Sequence, residues 1–332
     1  MSGYRGVAAR QFIALLALVC LAACRGGGDD PRAAFTDSVI PPGLQARFYP
    51  PDGWAWGLIQ PGEAPAARYG VSAPGRRPRA DVLILTGYGE PAEAWFETAR
   101  DLNDEGYVAW VLEPVGQGGS ARYVLPRDEG DASGFAPDVE AAKTIAGQVV
   151  HRRPLVVLAS REAAPAALAA FRAGLPSEGL ILSAPTFSPS ENSGGWRREG
   201  PDDCARGLTR DEKRGALTLA WQTANPDLRM GAPNHRWKTA FATAAADSLT
   251  DARSITAPVL VLQPSANGAQ ATALCRRLAH CTLQSFGTAG PALELETDDI
   301  RTAWLKAVTA AIEADISGFK LPPPQARLAP EG

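Results

Sequence analysis

This chain of 332 residues has only three histidines, His151, His235 and His280. None lies at ligand spacing from a cysteine pair, so the sequence implies no zinc site, and no other cofactor either. The formal net charge is −3, which leaves no electrostatic case for nucleic acid as a partner. No apolar run approaches the roughly 20 residues of a membrane-spanning helix. No internal repeat occurs, and biased composition is confined to the two ends. The composition itself is ordinary: 45% hydrophobic and 21% charged residues can supply the core of one large α/β domain or two small ones.

The central stretch is Pro154 to Leu175, PLVVLASREAAPAALAAFRAGL. It reads as a buried strand over Leu155 to Leu158, a sharp turn at Ala159-Ser160-Arg161, and an alanine-rich helix ending at Gly174. Pro165 suits the first helical turn, where its missing N–H costs nothing, and Gly174 suits the stop. Strand, serine on a tight turn, then helix is the layout of a nucleophile elbow. The flanking glycines of such an elbow are missing.

Around it, apolar runs alternate with helical patterns. Leu44–Phe48, Trp54–Ile59 and Arg68–Val71 read as an opening antiparallel meander. Strands follow at Asp81–Leu85, Tyr107–Leu112, Gly179–Ser183, Pro258–Leu262 and Thr282–Phe286. Helical patterns fill Pro91–Glu105, Phe135–Val150, Gln270–Leu278 and Asp298–Glu313. Residues 187–256 carry polar loops and helical patterns without a strand signal, which reads as a helical cap insertion. The fold class is therefore α/β: a mostly parallel sheet with helices on both faces, formed by 40–186 and 257–316. In such sheets ligands sit off the carboxyl ends of the strands. The turn after Leu85, the Gly116–Ser120 loop, the Ser160 turn and Asn267 all fall there, from distant parts of the chain. Residues 317–332 read as a disordered tail.

The amino-terminal segment has Arg5 and Arg10 ahead of the short apolar run Phe12–Val19, and ends Leu21-Ala22-Ala23-Cys24. It resembles the signal peptide of a bacterial lipoprotein over 1–23, with Cys24 as the lipidated residue and a simple secretory signal the alternative. Residues 24–39 then form a tether. The resemblance implies a cell-envelope location, anchored through Cys24 and facing the periplasm from the outer membrane. Such a compartment is oxidising. Cys275 and Cys281 stand six apart across a helix end and a strand start. A small disulfide is expected there, with two buried thiols the alternative.

The chain resembles the lysophospholipase and monoacylglycerol-lipase branch of the α/β-hydrolases. The likeness rests on GYGEPAEAWFETARDLNDEGYVAWVLEPVGQGGS (87–120), the Ser160 turn, ILSAPTF (181–187), the cap, APVLVLQPSANG (257–268) and the segment 275–301. It implies Ser160 at the nucleophile position, in the frame Leu158-Ala159-Ser160-Arg161-Glu162. It puts Asn267 where the catalytic acid belongs and Pro291 where the histidine belongs. The backbone N–H groups of Tyr88 and Arg161 are the implied oxyanion donors. An amide cannot stabilise an imidazolium, and a proline takes no proton. Glu90, Glu113 and Asp138 are carboxylates near the rim that could substitute, with solvated loop charges the plainer reading. His235, in the cap, is the histidine placed to reach down.

The expectation is therefore a lysophospholipase- or esterase-like envelope protein that has lost hydrolysis and keeps a cleft for an acyl-type ligand or a partner. The alternative is a working carboxylic-ester hydrolase using Ser160 with an atypical base such as His235. A third is an envelope lipoprotein with no ligand. Trp196, Trp221 and Trp237 are the cap aromatics available to line a cleft, with packing in the cap's own core the plainer reading.

Overall fold

The computed structural model describes residues 30–149, 152–188, 196–197, 200–201, 208–264 and 268–319. Its centre is an eight-stranded sheet. The strands are β1 (Ala55–Ile59), β2 (Ala67–Ser72), β3 (Ala80–Leu85), β4 (Tyr107–Leu112), β5 (Leu155–Ser160), β6 (Gly179–Ser183), β9 (Val259–Gln263) and β10 (Cys281–Ser285). A separate short antiparallel pair, β7 (Trp196–Arg197) and β8 (Gly200–Pro201), lies within the cap, where no strand was expected. The sheet order is β1-β2-β4-β3-β5-β6-β9-β10. β1 and β2, and β2 and β4, run antiparallel; the remaining neighbours are parallel.

The central strands are buried on both faces, so they read as continuous apolar runs. Their side chains still divide by the two-residue period of a strand. Leu83, Leu85, Leu155 and Val157 enter one core layer. Val82, Ile84, Val156 and Leu158 enter the other. The first layer is covered by α2 (Ala136–Val149) and α3 (Ala164–Arg172). The second is covered by α1 (Phe96–Asp104) and α8 (Asp298–Ile316), through Ala99, Leu102, Trp304, Val308 and Ile312.

Leu44–Phe48 is not a strand. After Pro41-Pro42-Gly43, with Gly43 at φ 75°, the chain makes a 3-10 turn over Ala46–Phe48. Residues 30–39, expected within the tether, lie against the body. From Asp30 the chain is bound to the body, with Phe35 N donating to the Gly119 carbonyl at 2.7 Å. Val39 is held at both its N–H and its carbonyl by the Asn225 side chain. Beneath this strap, Arg68 is fully buried between Glu93 and Glu113. Glu113 also accepts from the backbone N–H groups of Ala92 and Gly119, joining the two loops that follow β3 and β4. Of the rim carboxylates, Glu113 is thus engaged in holding the fold.

The cap contains α4 (Glu212–Gly215), α5 (Leu217–Ala224) and α6 (His235–Thr250). Trp221 packs edge-on against Phe96, and Trp237 stacks on Phe241; both indoles are buried. Trp196 has its backbone in β7 only. On the far edge, α7 (Gly268–Cys275) leads into β10, and Cys275 and Cys281 are joined in a disulfide.

Candidate active site

β5 carries the chain to the carboxyl end of the sheet. It runs two residues further than the sequence suggested and ends at Ser160, which pairs with Ser183 of β6 in extended geometry, φ −92° and ψ 132°. The turn comes one residue later. Arg161 has φ 40°, a left-handed conformation that a residue with a side chain adopts only at a cost of about 1–3 kcal/mol. A 3-10 turn over Arg161–Ala163 then feeds α3. In a strand-to-helix elbow the strained apex presents the reactive side chain. That apex is Arg161, so the position expected for Ser160 is corrected by one residue. The frame is Ala159-Ser160-Arg161-Glu162-Ala163, with alanines two residues either side of the apex.

The Arg161 side chain is 6% exposed and lies among carboxylates. Its Nε donates to Glu90 Oε1 at 2.6 Å, and a second guanidinium nitrogen pairs with the same oxygen. Glu162 Oε2 lies 3.9 Å from Nε. Burial alone would lower the guanidinium, but Glu90, Glu162 and Glu294 outweigh it and hold Arg161 well above its ordinary value. Glu294 arrives from the turn that precedes α8 and is 2% exposed. Burial first, then Glu90, push its carboxyl up to about 8, against the pull of Arg161. Three buried carboxyl groups therefore surround one guanidinium, and Glu90 is the one that hydrogen-bonds it. Ser160, fully buried, donates its hydroxyl to Glu90 Oε1 at 3.1 Å.

The oxyanion donors are likewise displaced and occupied. With Arg161 at the apex, the next N–H belongs to Glu162, not to Arg161 as expected. The Tyr88 N–H stays in place, but it faces the Glu162 carboxylate at 3.3 Å. The same carboxylate also accepts from its own backbone N–H. Its carboxyl is raised by burial, with Glu90 adding to the shift and Arg161 opposing it. An internal carboxylate thus occupies the backbone N–H groups of this turn.

The cap is seated on this arrangement. The Tyr88 hydroxyl donates to the Gly231 carbonyl at 2.8 Å, and its ring meets Trp237 edge-on. Gly231 N and Asn234 N bond to the carbonyls of Asp128 and Gly130. On the other side Ala292 N bonds to the Leu208 carbonyl, and Arg214 bridges Glu97 and Asp298. The space left beside Tyr88 and Glu162 is a cavity of about 30 Å³, lined also by Thr86, Gln117, Asp138 and Trp237. That is room for water-sized contents, far below the several hundred Å³ of a ligand pocket.

A serine aminopeptidase family model, the S33 hydrolases, matches residues 76–281. The chain belongs to this family. Among solved structures, a soluble variant of the monoglyceride lipase of Saccharomyces cerevisiae, bound to a substrate analogue, superposes with a TM-score of 0.64. It shares 14% identity over 86% of this chain and 98% of that one. A monoacylglycerol lipase of Paleococcus ferrophilus gives 0.60, with 14% identity over 74% of this chain and 98% of that one. A carboxyl esterase of Bacillus coagulans in complex with glycerol also gives 0.60, with 15% identity over 80% of this chain and 100% of that one. At these identities the likeness concerns the fold, which is that of an α/β-hydrolase. No curated protein matches the sequence.

Of the other two positions expected in the triad, Asn267 and Pro291, only Pro291 falls among the described residues. Pro291 is half-buried in the loop after β10, and the side chain that this loop sends toward Arg161 is Glu294. Asn267, like Cys24, His151 and Cys204, lies outside the described residues. His235 is exposed at the start of α6, on an outer groove between α2, α3 and α6. His280 is exposed beside Val259 and Ala311, away from the turn. Neither histidine hydrogen-bonds Ser160, whose hydroxyl goes to Glu90. Asp138 is partly buried at the start of α2 and accepts from Val115 N. Burial pushes its carboxyl up to about 7. Glu162 and Glu294 are the site residues that the sequence reading did not assign.

Proposed function

We propose that this S33-family chain is a non-catalytic α/β-hydrolase-fold protein of the bacterial cell envelope, anchored through lipid on Cys24, in which hydrolysis has been lost. The observation that carries the reading is Arg161 at the strained apex, paired with Glu90. Acyl transfer needs a nucleophile, a base that takes its proton, and free donors for the developing oxyanion. A guanidinium is neither nucleophile nor base. The adjacent hydroxyl, on Ser160, points into an ion pair, and no imidazole among the described residues bonds to it. The oxyanion position holds the Glu162 carboxylate, which would repel a second negative charge. The Leu21-Ala22-Ala23-Cys24 string supports the anchored location.

An acyl-type ligand beneath the cap would require about tenfold more space than the cavity beside Glu162 offers. Recognition of a partner or ligand at the outer surface is therefore the form of the binding reading that we favour. The decisive experiment treats the full chain with a fluorophosphonate probe and a panel of short and long acyl esters. No labelling and no turnover above buffer are expected. Labelling that Ser160→Ala abolishes would overturn the reading. Metabolic labelling with palmitate, lost in Cys24→Ala, tests the anchor separately.

A further inference from the structure

The amino end of the sheet, opposite the Arg161 turn, carries a different concentration of charge. The sequence contains Arg-Arg-Pro twice, as Arg76-Arg77-Pro78-Arg79 and as Arg152-Arg153-Pro154. The first leads into β3 and the second into β5. These strands are parallel neighbours, with Asp81 opposite Leu155. Both motifs therefore arrive at one place, and Asp81 N bonds to the Pro154 carbonyl at 2.9 Å to hold them together. They enclose a pocket of about 370 Å³ lined by Arg77, Arg79, Arg152, Arg153, the two prolines and Phe319.

The arginines divide into two sets. Arg153 is bidentate on Asp81, at 2.6 and 3.0 Å. Arg79 pairs with Glu313, and Arg76 donates to the Asp104 carbonyl. Arg77 and Arg152 are exposed and have no acidic partner among the described residues. In a chain of net negative charge, two exposed guanidiniums without an acidic partner among the described residues thus face one pocket, whose walls also hold the acid-paired Arg79 and Arg153, a phenyl ring and two proline rings. Planar guanidiniums match phosphate oxygens with paired donors, and the apolar wall suits whatever the phosphate is attached to. The volume falls within the range of small-ligand sites.

We propose that the two Arg-Arg-Pro turns form a binding site for a phosphate ester, with Arg77 and Arg152 donating to the phosphate and Phe319 packing on the attached group. The site is independent of the Arg161 turn. It also faces away from the amino-terminal strap, which meets the body beside Gly119, past the carboxyl end of β4. A phosphate ester reaches it either as a soluble molecule or as a lipid headgroup.

The test uses the full chain and the double variant Arg77→Ala/Arg152→Ala. Both side chains are exposed, so the fold should tolerate their loss, and thermal unfolding checks this. Calorimetric titration with glycerol phosphate and with inorganic phosphate, at constant ionic strength, probes the soluble source. Sedimentation with phosphatidylglycerol against phosphatidylcholine vesicles probes the headgroup source. Saturable binding in either arm, weakened at least about tenfold in the double variant, is expected, and the arm that responds names the source. Absence of binding in both arms, or equal binding by the double variant, overturns the proposal.

Discussion

Glu90 Oε1 accepts from Arg161 Nε at 2.6 Å and from the Ser160 hydroxyl at 3.1 Å. Its other oxygen takes the Gly87 N–H at 2.7 Å. One carboxylate therefore fixes the strained apex, the residue before it and the loop after β3. Removing one partner of a buried ion pair leaves the other charge uncompensated, which typically costs about 3–5 kcal/mol. Glu90→Ala should lower stability by an amount in that range. Glu90→Ala and Arg161→Ala together should cost less than their sum, by at least about 1 kcal/mol. Urea unfolding of the two single variants and the double variant measures this coupling; additive losses would mean that the pair does not act as a unit.

Stability should fall as pH rises, through Glu294. Its folded-state value, about 8, lies above the roughly 4.3 of an unfolded glutamate, so the folded protein holds an extra proton between those limits. The contribution is fully present below the unfolded value, declines as pH climbs, and is lost beyond about 8. The groups facing it are Glu90, Arg161 and Arg301, of which Glu90 favours the proton and the two arginines oppose it. Glu294→Gln keeps the shape and cannot titrate. Its unfolding free energy should therefore decline less steeply than that of the unaltered protein between pH 5 and pH 8.5, by up to about 1.4 kcal/mol per pH unit. Asp138 titrates in both proteins and cancels in the difference. Parallel pH profiles would remove Glu294 from the account.

Much of the architecture was legible because buried parallel strands announce themselves as short apolar runs between breakers. VLIL, YVAWVL, LVVL and LILS all became neighbouring strands. The turn was misplaced by one residue for a physical reason. A strand's last residue and a turn's apex differ only in backbone angle, and the lone hydroxyl at Ser160 drew the assignment. The usable signal was the pair Ala159 and Ala163, small residues spaced as the elbow's glycines would be around Arg161. Glu294 escaped notice because the loop after β10 has no strand to fix its register; only the fold shows which of Pro291, Leu293 and Glu294 turns inward. Leu44–Phe48 looked like a strand from its apolar ends alone, whereas the preceding Pro-Pro-Gly steers the chain into a 3-10 turn.

The closed cap makes a prediction at Gly290. A Cβ on this residue would lie 2.3 Å from the Leu208 carbonyl oxygen, a backbone atom in the cap segment that Ala292 N also bonds. Gly290→Ala must push the two loops apart, at a cost of about 1–3 kcal/mol. Hydrogen exchange should speed up at Ala292 while the central strands β3 and β5 keep their protection. Unchanged exchange in these loops would show that the cap segment does not rest on the loop after β10.

A hydroxyl restored at the apex should not restore chemistry. Arg161→Ser places a serine at the strained position, yet the Tyr88 N–H still faces the Glu162 carboxylate, and no imidazole of the described residues stands within the site. The lost guanidinium also leaves Glu90, Glu162 and Glu294 without their shared cation, so a lower unfolding midpoint is expected along with background esterase rates. Adding Glu162→Ala clears the oxyanion donors but still supplies no base, and a serine without one is a poor nucleophile at neutral pH. Both variants should stay unlabelled by a fluorophosphonate at pH 7. If Arg161→Ser alone labels or turns over an ester, the carboxylates around it can serve as base, and what the apex arginine blocks is a competent site.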